Sequence, residues 1–152
     1  MVSKIYNGED VSKDEVNYGA LVYNAIMKVL SEAKGRREYA NDGYEYFEFY
    51  SYDGYKKSVE QLRMLLEVIA DNEFRREVGE LDEWYDRMCS EVDEEVDKHS
   101  WLPHISKKLR INRIVALEEL KYRYSLDVFK ACIRLLERKG VIVEKLLRGM
   151  RI

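Results

Sequence analysis

The sequence predicts a mainly α protein in two parts. An acidic N-terminal helical bundle with one short β segment covers residues 1–98, and a basic helical domain covers residues 99–152. Three observations predict it. Apolar residues recur at three- and four-residue intervals along most of the chain. The single proline, Pro103, sits where the character of the chain changes. The charges are segregated: residues 104–152 carry 13 Lys and Arg against 5 Asp and Glu, a net of +8, whereas residues 1–103 carry 13 against 24, a net of −11. Such asymmetry points to a polyanionic partner for the basic part, or to pairing of the two halves with each other or with a second subunit.

The first helix starts at Ser12-Lys13-Asp14-Glu15, a capping-box pattern in which Ser12 accepts from the backbone amide three residues on and Glu15 reaches back. Val16, Leu21, Tyr23, Ile26, Met27, Val29, Leu30 and Ala33 give it a broad apolar face, and Gly35 ends it. Turn formers then surround the run Tyr44-Glu45-Tyr46-Phe47-Glu48-Phe49-Tyr50-Ser51-Tyr52. Aromatic density and two-residue alternation favour a strand or extended loop over a helix there, with Lys4-Ile5-Tyr6 as the only obvious partner for a strand.

A second helix is predicted over 55–77, its face given by Val59, Leu62, Leu65, Leu66, Ile69 and Phe74. A third is predicted over 80–98, with Leu81, Tyr85, Met88, Val92 and Val96 at helical spacing, and Val78-Gly79 marks the break between the two. Stripes of this kind bury against one another, or against those of a second chain, as a bundle. Trp101-Leu102-Pro103 is the expected hinge, because a proline disfavours helical geometry in the residue before it.

Beyond the hinge, Ile111 to Tyr124 form an amphipathic stretch with Leu117 and Leu120 inward, and Ser125-Leu126-Asp127 follows as a turn. Residues 128–139 form a longer helix, and Gly140-Val141-Ile142-Val143-Glu144-Lys145 closes the pattern. This order of elements resembles the winged helix-turn-helix superfamily. The resemblance implies a first helix over 99–110, a short strand at Arg113-Ile114-Val115, and a return strand from Leu147 to Ile152. Gly140 suits the left-handed conformation that stops a helix, after which the apolar 141–143 run is expected to pair as a strand. The wing segment Lys145-Leu146-Leu147-Arg148 is short and half apolar, a departure from a DNA-reading wing that suits packing on protein.

Lys130, Arg134 and Arg138 lie four residues apart, so they share one face of the longer helix, opposite Phe129, Ile133 and Leu136. Such a face offers cations to phosphates or guanine edges. The resemblance implies that Ser125, Asp127 and Lys130, at the N-terminal end of that helix, approach base edges. Arg123, Lys107, Lys108, Arg110, Arg113, Lys145, Arg148 and Arg151 are the candidates for phosphate contacts, which orient without reading sequence. For any one of these residues a plain surface role is the simpler reading, and the net charge of the group is what argues for a polyanion.

Between Glu80 and Asp97 there are nine carboxylates and one basic residue, Arg87, with Asp82, Asp86, Asp93 and Asp97 on one face. The simplest reading is a solvated face. The alternatives are docking of a basic partner, masking of the basic domain and, last, carboxylate metal chemistry, for which His99 and His104 lie off the face. The Tyr44–Tyr52 run reads as packing, with a stacking platform for single-stranded nucleic acid as the alternative. Cys89 and Cys132 fall within apolar patterns outside any Cys-x-x-Cys pair and read as small core residues, a disulfide being the lesser alternative.

No apolar run approaches the roughly 18 residues of a membrane span and the opening lacks a secretion signal, so the expectation is a cytoplasmic protein without membrane contact. Charged residues make up 36% of the chain and Gln61 is its one glutamine, a usage that leans towards a thermophile. A Gly-rich phosphate loop, Gly-x-Ser-x-Gly and His-Glu-x-x-His are all missing from the sequence, so the expectation is no enzyme and no cofactor. The leading expectation is a duplex DNA-binding protein, a transcriptional regulator of a thermophilic archaeon or its virus or plasmid, that dimerises through its acidic body. The alternative is a non-catalytic subunit of a replication, repair or RNA-guided complex, in which the basic domain contacts protein or nucleic acid.

Overall fold

The computed structural model describes the backbone of residues 13–41, 46–98 and 103–140, and the side chains of residues 18–41, 46–98 and 111–140. The apolar stripe of Val22, Ile26 and Val29 winds onto one side of α1, Lys13–Glu32, and is buried there. Gly35 follows with a φ of 75°, the left-handed geometry that ends the helix, and Gly35 N donates to Glu32 O at 3.1 Å. Ser12 of the expected capping box lies outside the described residues.

β2, Tyr46–Ser51, is the strand that aromatic alternation predicts. It pairs antiparallel with β1, Arg36–Asn41, Arg36 facing Ser51 and Asn41 facing Tyr46. The partner described is the segment just before it in sequence, and the expected Lys4-Ile5-Tyr6 lies outside the described residues. A hairpin closes the shorter loop and so loses less chain entropy. The charged Arg36-Arg37-Glu38 start of β1 is solvated and carries no apolar alternation by which a strand is recognised.

The break between the middle helices lies upstream of Val78-Gly79. α2 spans Asp53–Leu66 and passes through a 3-10 turn, Glu67–Ile69, into α3, Asn72–Lys98. The corner lies at Ala70-Asp71, where Asp71 caps α3 by accepting from Phe74 N at 2.8 Å. Val78-Gly79 is mid-helix: Val78 packs in the core, and a β-carbon on Gly79 would meet nothing within 4 Å. One isolated glycine costs a helix only about 1 kcal/mol, less than the neighbouring turns of α3 gain by packing.

α4 runs without interruption over Pro103–Arg138, through both the strand expected at Arg113-Ile114-Val115 and the turn expected at Ser125-Leu126-Asp127. No glycine or proline stands between residues 104 and 139. The Ser125 hydroxyl, fully buried, donates to Lys121 O at 2.7 Å, so its polar group is satisfied inside the helix and opens no turn. Pro103 occupies the first helical position, where its missing N–H costs nothing. Gly140 ends α4 as expected, with a φ of 77°. The wing, residues 141–152, lies outside the described residues.

α4 is the central element. It packs against α2 on one side and α3 on the other, and α1 packs on α2. One core joins Val22, Ile26 and Val29 of α1, Tyr55, Val59, Leu62 and Leu66 of α2, Phe74 and Val78 of α3, and Tyr124, Val128, Ala131, Cys132, Leu135 and Leu136 of α4. Each large aliphatic or aromatic side chain removed from water here contributes about 1.5–3 kcal/mol. The boundary expected at residues 98 and 99 falls between two helices that share this core. No helix among the described residues is long and apolar enough to cross a membrane.

Candidate nucleic-acid interface on the C-terminal helix

α3 and α4 lie antiparallel, and ion pairs mark their register from end to end. Arg113 Nε donates to Asp93 at 2.7 Å, Arg134 to Glu77 at 3.2 Å, and Arg138 to both oxygens of Asp71 at 2.9 Å. Glu73 also approaches Arg138, at 3.5 Å. The Arg138 bond, with the Phe74 amide, pulls the Asp71 carboxyl down to about 2, and Asp71 in turn raises the Arg138 guanidinium. The basic face of α4 is therefore turned, in its arginines, towards the acidic helix beside it.

The residues expected to meet nucleic acid differ in their surroundings. Arg113, Arg134 and Arg138 are bonded to α3 carboxylates. Lys130 is exposed and has no ion-pair partner among the described residues, and exposed Arg123 stands over the Trp84 ring, 5.5 Å from its centroid. Ser125 is buried and turned into the core, so the expectation that it reads base edges is corrected. Half-buried Asp127 lines, with Glu77, Trp84 and Arg134, a groove between α3 and α4. Lys107, Lys108 and Arg110 lie on α4 with side chains outside the described residues, as Lys145, Arg148 and Arg151 lie outside them altogether.

Comparison of the chain with protein families, curated proteins and solved structures finds no match.

Two polar clusters that the sequence reading did not assemble fix the arrangement of the helices. In the first, Arg63 of α2 makes a bidentate bond to Asp82 of α3, both contacts 2.8 Å, and the Tyr124 hydroxyl of α4 donates to the same carboxylate. Burial alone would raise the Asp82 carboxyl, but the bonds from Arg63 and Tyr124 prevail and its pKa is lowered. Tyr85 stacks on Tyr124 with centroids 4.5 Å apart, and Lys56 Nζ lies 5.7 Å from the Tyr85 centroid. In the second, buried Glu118 of α4 accepts from Tyr52 N at 2.8 Å and from Lys121, which also donates to Asp53. Tyr52 and Tyr122 pack with centroids 4.9 Å apart. This cluster ties the root of the hairpin and the start of α2 to the middle of α4. Between elements, the bonds of these clusters join residues 19 to 68 positions apart, which no spacing rule connects.

The aromatic run divides by alternation. Phe47, Phe49 and Tyr52 are half-buried, whereas Tyr46 is 66% and Tyr50 49% exposed. Tyr39 of β1, 52% exposed, stacks on Tyr46 with centroids 5.2 Å apart. Packing accounts for one face of the hairpin and leaves three tyrosines on the other. Arg37 on that face is paired with Glu48. The acidic face of α3 divides too, Asp82 bonding to Arg63 and Asp93 to Arg113.

Proposed function

We propose that the protein is a non-catalytic subunit of a nucleic-acid-handling assembly, a helical adaptor that meets its partners through α3 and α4. It is not in the first place a stand-alone reader of duplex DNA. One observation carries this choice: Arg113, Arg134 and Arg138 are already bonded to Asp93, Glu77 and Asp71 of the neighbouring helix. A guanidinium so held must release one anion to take another, and the exchange cancels most of the electrostatic gain on which phosphate binding depends. The nucleic-acid half of the reading is supported by the net +8 of residues 104–152, where Lys107, Lys108, Arg110, Lys145, Arg148 and Arg151 remain candidates for phosphate contact. The reading does not rest on the winged-helix resemblance, since α4 passes unbroken through the turn that motif requires.

A second reading keeps the protein as a DNA-binding transcriptional regulator, acting as a homodimer. It is favoured by Lys130, exposed and without an ion-pair partner among the described residues, with Arg123 on the same helix. A salt series of duplex-binding measurements separates the two. Each phosphate contact removed lowers the slope of log affinity against log salt by about 0.9. The adaptor reading expects Lys130→Ala combined with Arg134→Ala to leave that slope unchanged. A fall of about 1 to 2 supports the duplex reader, and absence of binding to any nucleic acid at low salt removes the nucleic-acid half from both readings.

A further inference from the structure

Among the described residues, the core stops well short of the far end of α3. Phe74 and Val78, in the first two turns of α3, are its only buried side chains. Beyond them the apolar stripe of Tyr85, Met88, Val92 and Val96 is half-buried throughout, and so are Ile111, Ile114 and Leu117 on the facing stretch of α4. The Asp93 to Arg113 bond holds the two helices side by side here. Residues 86–98, at about 1.5 Å of rise each, make an arm roughly 20 Å long. Two helices alone cannot enclose the seam between them, and the usual completion is a four-helix arrangement.

The two helices of this arm are oppositely charged. Over residues 86–98, α3 has six carboxylates and two cations, Arg87 and Lys98, whereas residues 103–117 of α4 have Lys107, Lys108, Arg110 and Arg113 and no carboxylate. Glu83, Asp86, Glu91 and Glu94 are exposed and have no ion-pair partner among the described residues. A foreign acidic helix would suit α4 and repel α3, and a foreign basic helix would do the reverse.

We infer that this arm is a self-association surface, and that its occupant is the same arm of a second copy of the chain, the two forming a four-helix bundle about a two-fold axis. In that arrangement each α3 lies between two α4 helices and each α4 between two α3 helices, so every neighbour carries the opposite charge. The half-exposed seam residues of the two copies close over one another. The inference goes beyond the adaptor function proposed above, which names no self-association, and needs no nucleic acid.

Sedimentation equilibrium of the full chain, without nucleic acid, tests it over a roughly hundredfold range of concentration. The chain has a mass of 18.1 kDa, and the expected result is twice that mass, with the dimer weakening as salt rises. Val92→Glu, at a half-buried site of the seam, should weaken the dimer at least about tenfold, with unchanged helical circular dichroism showing that the chain still folds. Glu91→Lys with Glu94→Lys in one chain, and Lys107→Glu with Lys108→Glu in another, should each weaken self-association, while the mixture should recover a mixed dimer. A wild-type chain that stays monomeric overturns the inference, as does a dimer indifferent to Val92→Glu and to both charge reversals. Duplex binding measured on the same samples keeps the two proposals apart: loss of one with retention of the other sinks only the one lost.

Discussion

Replacing Asp71 should separate two bonds that meet on one carboxylate. Asp71 caps α3 through Phe74 N at 2.8 Å and holds the end of α4 through Arg138, with both contacts at 2.9 Å. Loss of an N-cap costs about 1 kcal/mol. The Arg138 bond is charge-assisted and bidentate, but at a quarter-exposed position solvent screening holds its worth to about 1 kcal/mol. Asp71→Ala should therefore cost about 2 kcal/mol, a fall of roughly 4–8 °C in Tm for a chain of this size. Asp71→Asn keeps an oxygen for the cap and loses the charge, so about 1 kcal/mol is expected. The pH dependence has a definite sign. The folded carboxyl is held at about 2 against an ordinary 3.8, so its contribution is present in full above about 4 and is lost as pH falls from there towards 2. The gap between wild type and Asp71→Asn in urea melts should close over that window. A gap that stays constant down to pH 2.5, or equal stability of Asp71→Ala and wild type, would refute the assignment.

Gly79→Ala should raise stability by about 1 kcal/mol in denaturant melts, because the site is mid-helix and open, and destabilisation would restore the expected break at Val78-Gly79. Gly35→Ala should cost about 2 kcal/mol, since φ is 75° and the new β-carbon would lie 2.8 Å from the Tyr52 ring and 3.2 Å from Ser51 O. Tyr124→Phe removes a buried hydroxyl donor from Asp82 and should lower stability by about 1 kcal/mol, with the Arg63 to Asp82 bond retained. Burial pushes the Cys132 thiol up to about 12, so thiol reagents near pH 8 should modify it only on unfolding, while half-buried Cys89 is modified in the native protein; prompt modification of both sites would contradict the packing of α4.

Much of the fold is legible in the residues themselves. The first helix and its stop at Gly35, the strand at Tyr46–Ser51, the end of α3 at Lys98 and the stop at Gly140 all follow from periodicity, alternation or a glycine at a required left-handed position. The errors share a cause. Val78-Gly79 and Ser125-Leu126-Asp127 look like breaks because glycine, serine and aspartate are turn formers, yet Val78 and Ser125 are buried in the core, and that packing outweighs local preference. The corner at Asp71-Asn72 carries its own signal, since an Asp able to accept from the third amide onward is a cap by chemistry alone. Of the candidate interface, the stripe of Lys130, Arg134 and Arg138 was readable from spacing of four, but whether its charges are free was not.

The sequence by itself determined that this is a mainly helical chain, acidic in its first two thirds and basic in its last, with its turns at Gly35 and Gly140. Only tertiary structure decided that those opposite charges meet along α3 and α4, that Glu118 and Asp82 are anchoring carboxylates, and that residues 103–138 form one helix. Periodicity reports which side of a helix is apolar through local geometry. Which helix lies against that side depends on contacts between residues far apart in the chain, and these are fixed by the packing of the whole.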